Sequence, residues 1–103
     1  MLTRVLEPEV MDSMEEAAAY DSMDHSAVNV AFVDDLLTAA EGTDCLEGEI
    51  LDLGTGTALI PIELCRRSET YRVVAVDLSV AMLEQARLNV DMADLLEQIL
   101  LVH

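Results

Sequence analysis

The chain has 103 residues, with 21 acids against five arginines and no lysine, for a formal net charge of −16. That excludes an unaided nucleic-acid binder or a partner of anionic membrane surfaces, because both depend on cations that meet phosphates. Hydrophobic residues make up 52%, mean hydropathy is +0.33 and aromatics are 3%, which predicts one folded domain with an aliphatic core rather than a disordered chain.

The first ten residues read as a loose arm broken by Pro8. They contain no apolar run of signal-peptide length, and nowhere do roughly 18 apolar residues follow one another, so a cytoplasmic location is expected. Ser13-Met14-Glu15-Glu16 has the S-x-x-E form of a capping box and predicts a short helix over 14–20, interrupted at Asp21–Asp24. Ser26 is then placed to cap a longer helix that ends near Ala40, with Gly42 as its stop. Its Ala27, Val30, Val33, Leu37 and Ala40 share one face at helical spacing. Residues 1–45 thus read as an acidic helical segment: residues 1–50 hold thirteen acids against Arg4 alone. Cys45 and Cys65 form no CxxC pair and have no histidine at metal spacing. Buried, reduced thiols are expected there, with no disulfide and no metal site.

From Glu49 the pattern changes to alternating strand and helix. A strand over 49–53 runs into a glycine loop, a helix over about 58–67 tolerates Pro61 in its first turn, and a second strand covers about 71–76. Ser79 caps a helix from Val80 to about Met92, with Met82, Leu83, Ala86 and Val90 facing inward, and Ile99–Val102 forms a last strand before His103. The order β-α-β-α-β predicts parallel strands, the first half of a doubly wound α/β sheet of Rossmann-like form.

The chemistry lies in the loop. Glycines at 54 and 56 let a ligand approach the main chain closely, and the following helix points its N-terminal amides at the same place. A dinucleotide fingerprint needs a third glycine at position 59, which is Leu59, and a P-loop needs a lysine, which is absent. Two carboxylates are present instead. Asp77, at the tip of the second strand, can accept from both hydroxyls of a ribose, and Asp52 lies in the strand-to-loop turn where an amino or sulfonium end would sit.

Ile50-Leu51-Asp52-Leu53-Gly54-Thr55-Gly56-Thr57, with Val73-Val74-Ala75-Val76-Asp77-Leu78-Ser79-Val80-Ala81-Met82-Leu83 following, resembles class I S-adenosylmethionine-dependent methyltransferases over about residues 46–103. One departure is Ala58, where that family often has glycine. The resemblance implies S-adenosyl-L-methionine as cofactor. Asp52, Gly54, Thr55 and Gly56 would line its methionine and sulfonium end, Asp77 would hold the ribose diol, Leu78 would pack on the adenine, and Met82 would close that pocket. Each residue also has a plainer role: Leu78 and Met82 as core, Asp52 as a turn-former, Asp77 as a charge at a helix N-terminus. The cofactor's net positive charge agrees with an acidic domain, an effect confined by salt to about 8 Å.

N-terminal helices of the family often fold over the cofactor. Residues 1–45 are therefore a lid by resemblance, with Tyr20 over the methyl-donor end and His25 facing the acceptor as a general base. His25 as a helix-flanking residue is the plainer reading. The family's sheet has seven strands, whereas three are expected here in the order 3-2-1. The resemblance thus implies an apparently truncated N-terminal part: a cofactor half-site with no acceptor site and no assigned catalytic residue. Strand one would present an apolar edge that invites pairing with a second copy of the chain. Three functions follow: methyl transfer to an unidentified acceptor, a truncated or non-catalytic cofactor-binding or interaction module, and another Rossmann-like nucleotide binder such as an NAD-dependent enzyme. Leu59 and Asp52 count against the third.

Overall fold

In the computed structural model, residues 13–22 and 25–103 are described, so the arm at 1–10 and the stretch at Met23–Asp24 lie outside the described residues. The elements are α1 (Met14–Ser22), α2 (Ser26–Ala40), β1 (Glu49–Leu53), α3 (Leu59–Arg67), β2 (Arg72–Val76), α4 (Val80–Met92) and β3 (Ile99–Val102). The three strands are parallel, with β2 in the centre and β1 and β3 on the edges. This is the Rossmann-like α/β half-sheet expected from the β-α-β-α-β pattern.

Strand alternation sorts the side chains onto two faces. Ile50, Val73 and Ile99 form one cross-strand row, and Asp52, Ala75 and Leu101 the next. This face packs against Ile62, Leu64 and Cys65 of α3 and Ala86 and Val90 of α4, which form one hydrophobic core. On the other face Leu51, Val74 and Leu100 align, followed by Leu53, Val76 and Val102. Parallel sheets are normally covered on both faces. Here Leu51 is 61% exposed, Leu53 72% and Leu100 62%. Among the described residues, nothing pairs with the free edge of β1.

The helices enter this frame unequally. Along α2, Val33 is buried and Leu36 and Leu37 pack on the core, but Ala27 and Val30 are exposed, contrary to the expected face. The cause is that α2 lies against α3 rather than on the sheet, held there at its middle by Arg67, which bridges Asp34 at 2.9 Å and Glu63 at 2.8 Å. The cap of α2 is also corrected: His25 occupies it without a side-chain capping bond, and Ser26 is the first helical residue. At α1, Ser13 caps the Glu16 amide at 3.0 Å as the S-x-x-E pattern predicts, but the helix runs through Asp21 rather than stopping before it. Ser79 caps α4 through the Met82 amide at 3.1 Å. Met82, Ala86 and Val90 are buried and Leu83 is half-buried.

Cys65 is buried, and burial pushes its thiol up to about 11, with Arg72 pulling the other way. Cys45 departs from expectation: it is exposed, in the turn after α2, with its sulfur accepting from the Thr43 hydroxyl at 3.1 Å. Among the described residues, no helix is long and apolar enough to cross a membrane, and no three His, Cys, Asp or Glu side chains converge as a metal site.

Candidate functional site

At the C-terminal end of the sheet β1 leaves the layer through Gly54 and turns back into α3. The turn is held by its own amides. Gly54 and Thr55 both donate to the Val76 carbonyl, at 2.8 and 2.9 Å, and Ala58 donates to the Thr55 carbonyl at 3.1 Å. The Gly56 amide donates to Asp77 Oδ2 at 2.8 Å. A phosphate-binding loop works by leaving such amides for the ligand. Here four of them are committed to protein acceptors, one of them a carboxylate, so the loop is ill suited to a phosphate.

Gly54 has φ +72 and Gly56 φ +60, and a Cβ built on either would meet no atom within 4 Å. The protein leaves open space beside this main chain. Alanine at Gly54 is therefore expected to cost about 1–2 kcal/mol through left-handed strain alone, read as a lower denaturant midpoint at unchanged slope. Ala58, expected to begin the helix, instead precedes it with φ 67 in the left-handed region. Its methyl is fully buried in the core. Glycine there would relieve strain of about 1–2 kcal/mol but lose a buried methyl worth about 0.8 kcal/mol and add chain entropy, so the two nearly cancel.

Asp77 does more than the strand-tip position announces. Its Oδ2 takes the Gly56 amide, and its Oδ1 takes the Ser79 amide at 2.8 Å, so one carboxylate holds both the glycine loop and the start of α4. Each oxygen keeps a further lone-pair direction. The signal for the second bond was the Asp-x-Ser spacing, where an aspartate accepts from the amide two residues on. Asp52 projects from the helix-facing row beside Ala75 and Leu101. Burial pushes its carboxyl above the ordinary value of 3.8, the nearby Thr55 hydroxyl pulls it back, and the Asp77 charge pushes it up again. Thr57 Oγ1 is a buried polar atom without a partner among the described residues. Buried orphans of this kind are rare in folded proteins and call for a reason.

Leu78 is 79% exposed beside Asp77, and its carbonyl accepts from His103 Nε2 at 3.0 Å. Met82 is 6% exposed and packs with Ala81 under Ala17 and Tyr20 of α1. Tyr20 also stacks on His25, with centroids 4.7 Å apart, and His25 Nε2 donates to the Tyr20 carbonyl at 3.0 Å. His25 thus closes the junction between α1 and α2.

The polar pair on α4 was missed by sequence reasoning. Asn89 Nδ2 donates to Asp21 Oδ1 at 2.8 Å and to the Thr57 carbonyl at 3.0 Å, while Gln85 Nε2 reaches Asp21 Oδ2 at 3.3 Å. The available signal was two amides four residues apart on a helix whose neighbouring face is apolar. Two hollows among the described residues lie elsewhere. One of about 450 Å³ sits at the opposite end of the sheet, by Leu46, Gly48 and Tyr71, and one of about 420 Å³ lies among α2, α3 and α4. Neither is lined by the glycine loop, which Asp77 holds through Gly56 and which has open space beside Gly54 and Gly56.

Known proteins share this fold. A family described as a methyltransferase domain matches residues 50–103. Among curated proteins no relative matches. A proposed S-adenosyl-L-methionine-dependent methyltransferase of Methanococcus maripaludis superposes with a TM-score of 0.70 at 22% identity, over 97% of this chain and 45% of that one. A methyltransferase of Thiobacillus denitrificans, solved with S-adenosyl-L-homocysteine, gives 0.61 at 23% identity, over 90% of this chain and 37% of that one. Coclaurine N-methyltransferase, bound to N-methylheliamine and S-adenosyl-L-homocysteine, gives 0.61 at 25% identity, over 79% and 22%. This chain therefore spans less than half the length of each of these structures. The sheet, the glycine turn and the matched segment agree: the chain belongs to the methyltransferase domain family.

Proposed function

We propose that the chain holds S-adenosylmethionine between the Asp52–Gly56 turn and Asp77, and contributes this half-site to methyl transfer onto an acceptor. The observation that carries the reading is the loop whose amides are committed to protein acceptors, with Asp77 bound to it, Asp52 near enough to feel the Asp77 charge, and open space beside Gly54 and Gly56. When bound, S-adenosylmethionine supplies an electrophilic methyl on its sulfonium. The chain's part is binding and orientation: Asp52 and the carbonyl side of Gly54–Gly56 toward the cationic amino-acid end, Asp77 toward the ribose hydroxyls, exposed Leu78 toward the adenine. Thr55 stands beside Asp52, whose carboxylate its hydroxyl stabilises. Met82 acts from beneath α1, shaping that wall without being exposed to it. We assign no catalytic residue, since methyl transfer depends mainly on alignment and exclusion of water.

Because Asp77 also builds the loop, the ribose contact is best tested on the ligand. The 2′-deoxy analogue of S-adenosylhomocysteine is expected to bind the unaltered protein about tenfold more weakly than the parent, the loss of roughly one charge-assisted hydrogen bond. Equal affinities would remove the ribose role of Asp77. Transfer of a labelled methyl to a panel of acceptors separates an enzyme from a binding module.

The open β1 edge and the bare Leu51–Leu53–Leu100 face favour a second copy of the chain as partner. Two copies at −16 repel, so sedimentation should show association rising with salt as that repulsion is screened. A monomer at every ionic strength would remove this partner.

A further inference from the structure

We propose that Asn89 is a positioning residue that couples the docking of α1 to the shape of the cofactor loop, so that each strengthens the other. The inference rests on the cofactor reading above and names how that site is controlled. Asn89 spends both protons of its amide on different elements: one on Asp21 in the last turn of α1, one on the Thr57 carbonyl between the glycine turn and α3. Its own oxygen accepts from Gln85 at 3.2 Å, which fixes the amide's orientation. Moving α1 away thus frees the group that holds Thr57 in place.

Two features make the link matter. The first is that, among the described residues, the apolar cluster between α1 and α4 is small: Ala17 and Tyr20 on Ala81 and Met82. An element with so few buried apolar contacts opens at low free energy, so a few polar bonds decide its position. The second is that Asp21 is locally misplaced. A carboxylate in the last turn of a helix meets the negative end of the helix dipole, and α1 has no basic residue there to offset it. Asp21 therefore costs α1 stability as an isolated helix, a cost that the bonds from Gln85 and Asn89 offset. Next to Thr57, whose carbonyl is held by this relay, sits Asp77's partner Gly56, so a shift at Thr57 moves the turn that receives the ligand.

The test compares the full chain with Asp21→Ala and Asn89→Ala, reading hydrogen exchange of the α1, Gly56 and Ala58 amides, and calorimetric affinity for S-adenosylhomocysteine. In Asp21→Ala, α1 is expected to lose protection, the Gly56 and Ala58 amides to exchange faster, and affinity to fall by about 5–10-fold, within the range of ordinary coupling energies. The double variant should be no weaker than the weaker single, as expected of residues acting through one network. In the unaltered chain the ligand should slow exchange in α1, as reciprocity demands. Arg67→Ala, which unties α2 from α3 elsewhere, should leave exchange at Gly56 and Ala58 unchanged. If Asp21→Ala strips protection from α1 while Gly56, Ala58 and the affinity stay as they were, the coupling is overturned. If the unaltered chain binds no S-adenosylhomocysteine, the cofactor reading fails, and loop exchange in the free protein still decides the coupling. Should Asn89→Ala not fold, Asp21→Ala at the helix end carries the comparison alone.

Discussion

Replacing Asp77 with alanine is expected to lower the melting temperature by roughly 10 °C or more and to abolish measurable cofactor binding. The carboxylate accepts from the Gly56 and Ser79 amides, both at 2.8 Å. Hydrogen bonds to a charged group contribute about 1.5–3 kcal/mol each when buried, less where water reaches them, so about 2–4 kcal/mol is at stake. For a domain of this size each kcal/mol moves the midpoint by about 4–8 °C. Asparagine should fall between the two, since its oxygen accepts one amide while its NH₂ faces the other donor. A midpoint within about 2 °C of the parent for Asp77→Ala would show that neither bond matters to stability.

Asp52→Asn is expected to move stability and binding in opposite directions. Burial and the Asp77 charge raise the Asp52 carboxyl above its ordinary value of 3.8, outweighing the Thr55 hydroxyl. An acid whose folded pKa lies above its unfolded value binds more protons when folded. It therefore costs stability as pH rises from the unfolded value through the folded one, and the full cost persists above both. Asparagine has no such cost. The variant should melt higher than the parent at pH 7, and its advantage should shrink as pH falls toward the ordinary value of 3.8. Its affinity for S-adenosylmethionine should fall by about 10–100-fold, the worth of a charge-assisted contact of about 1.5–3 kcal/mol. Differential scanning calorimetry across pH and titration calorimetry read the two effects. A variant less stable than the parent at pH 7, or one with unchanged affinity, would contradict this assignment. A group that lowers stability and is tied to a ligand is what a functional site leaves behind when its ligand is cationic.

Much of this was legible in the sequence for a local reason. The β1 and α4 bounds coincide with the expected 49–53 and 80–92 because alternation, a Ser79 cap and helical spacing all act within a few residues. The glycine turn was legible because left-handed backbone at 54 and 56 restricts residue choice. What escaped depends on partners far along the chain. Nothing near Asp77 announces that the Gly56 amide, 21 residues away, will be its partner. Nothing near Asn89 announces Asp21, 68 residues away. The apolar face of α2 was overdrawn because helical spacing tells which residues align and not how far along the helix the core extends; it stops short of Ala27 and Val30. The continuous apolar run of β2 reads as a strand covered on both sides. In the structure its helices lie against one face and leave the other to whatever joins it.

The most direct measurement is calorimetric titration of the folded chain with S-adenosylmethionine and, in parallel, with NAD. Saturable binding of S-adenosylmethionine with one site per chain, and none of NAD, is the expected result for a loop that has spent its amides and faces two carboxylates. A sample with intact secondary structure that binds NAD and takes up no S-adenosylmethionine would contradict it.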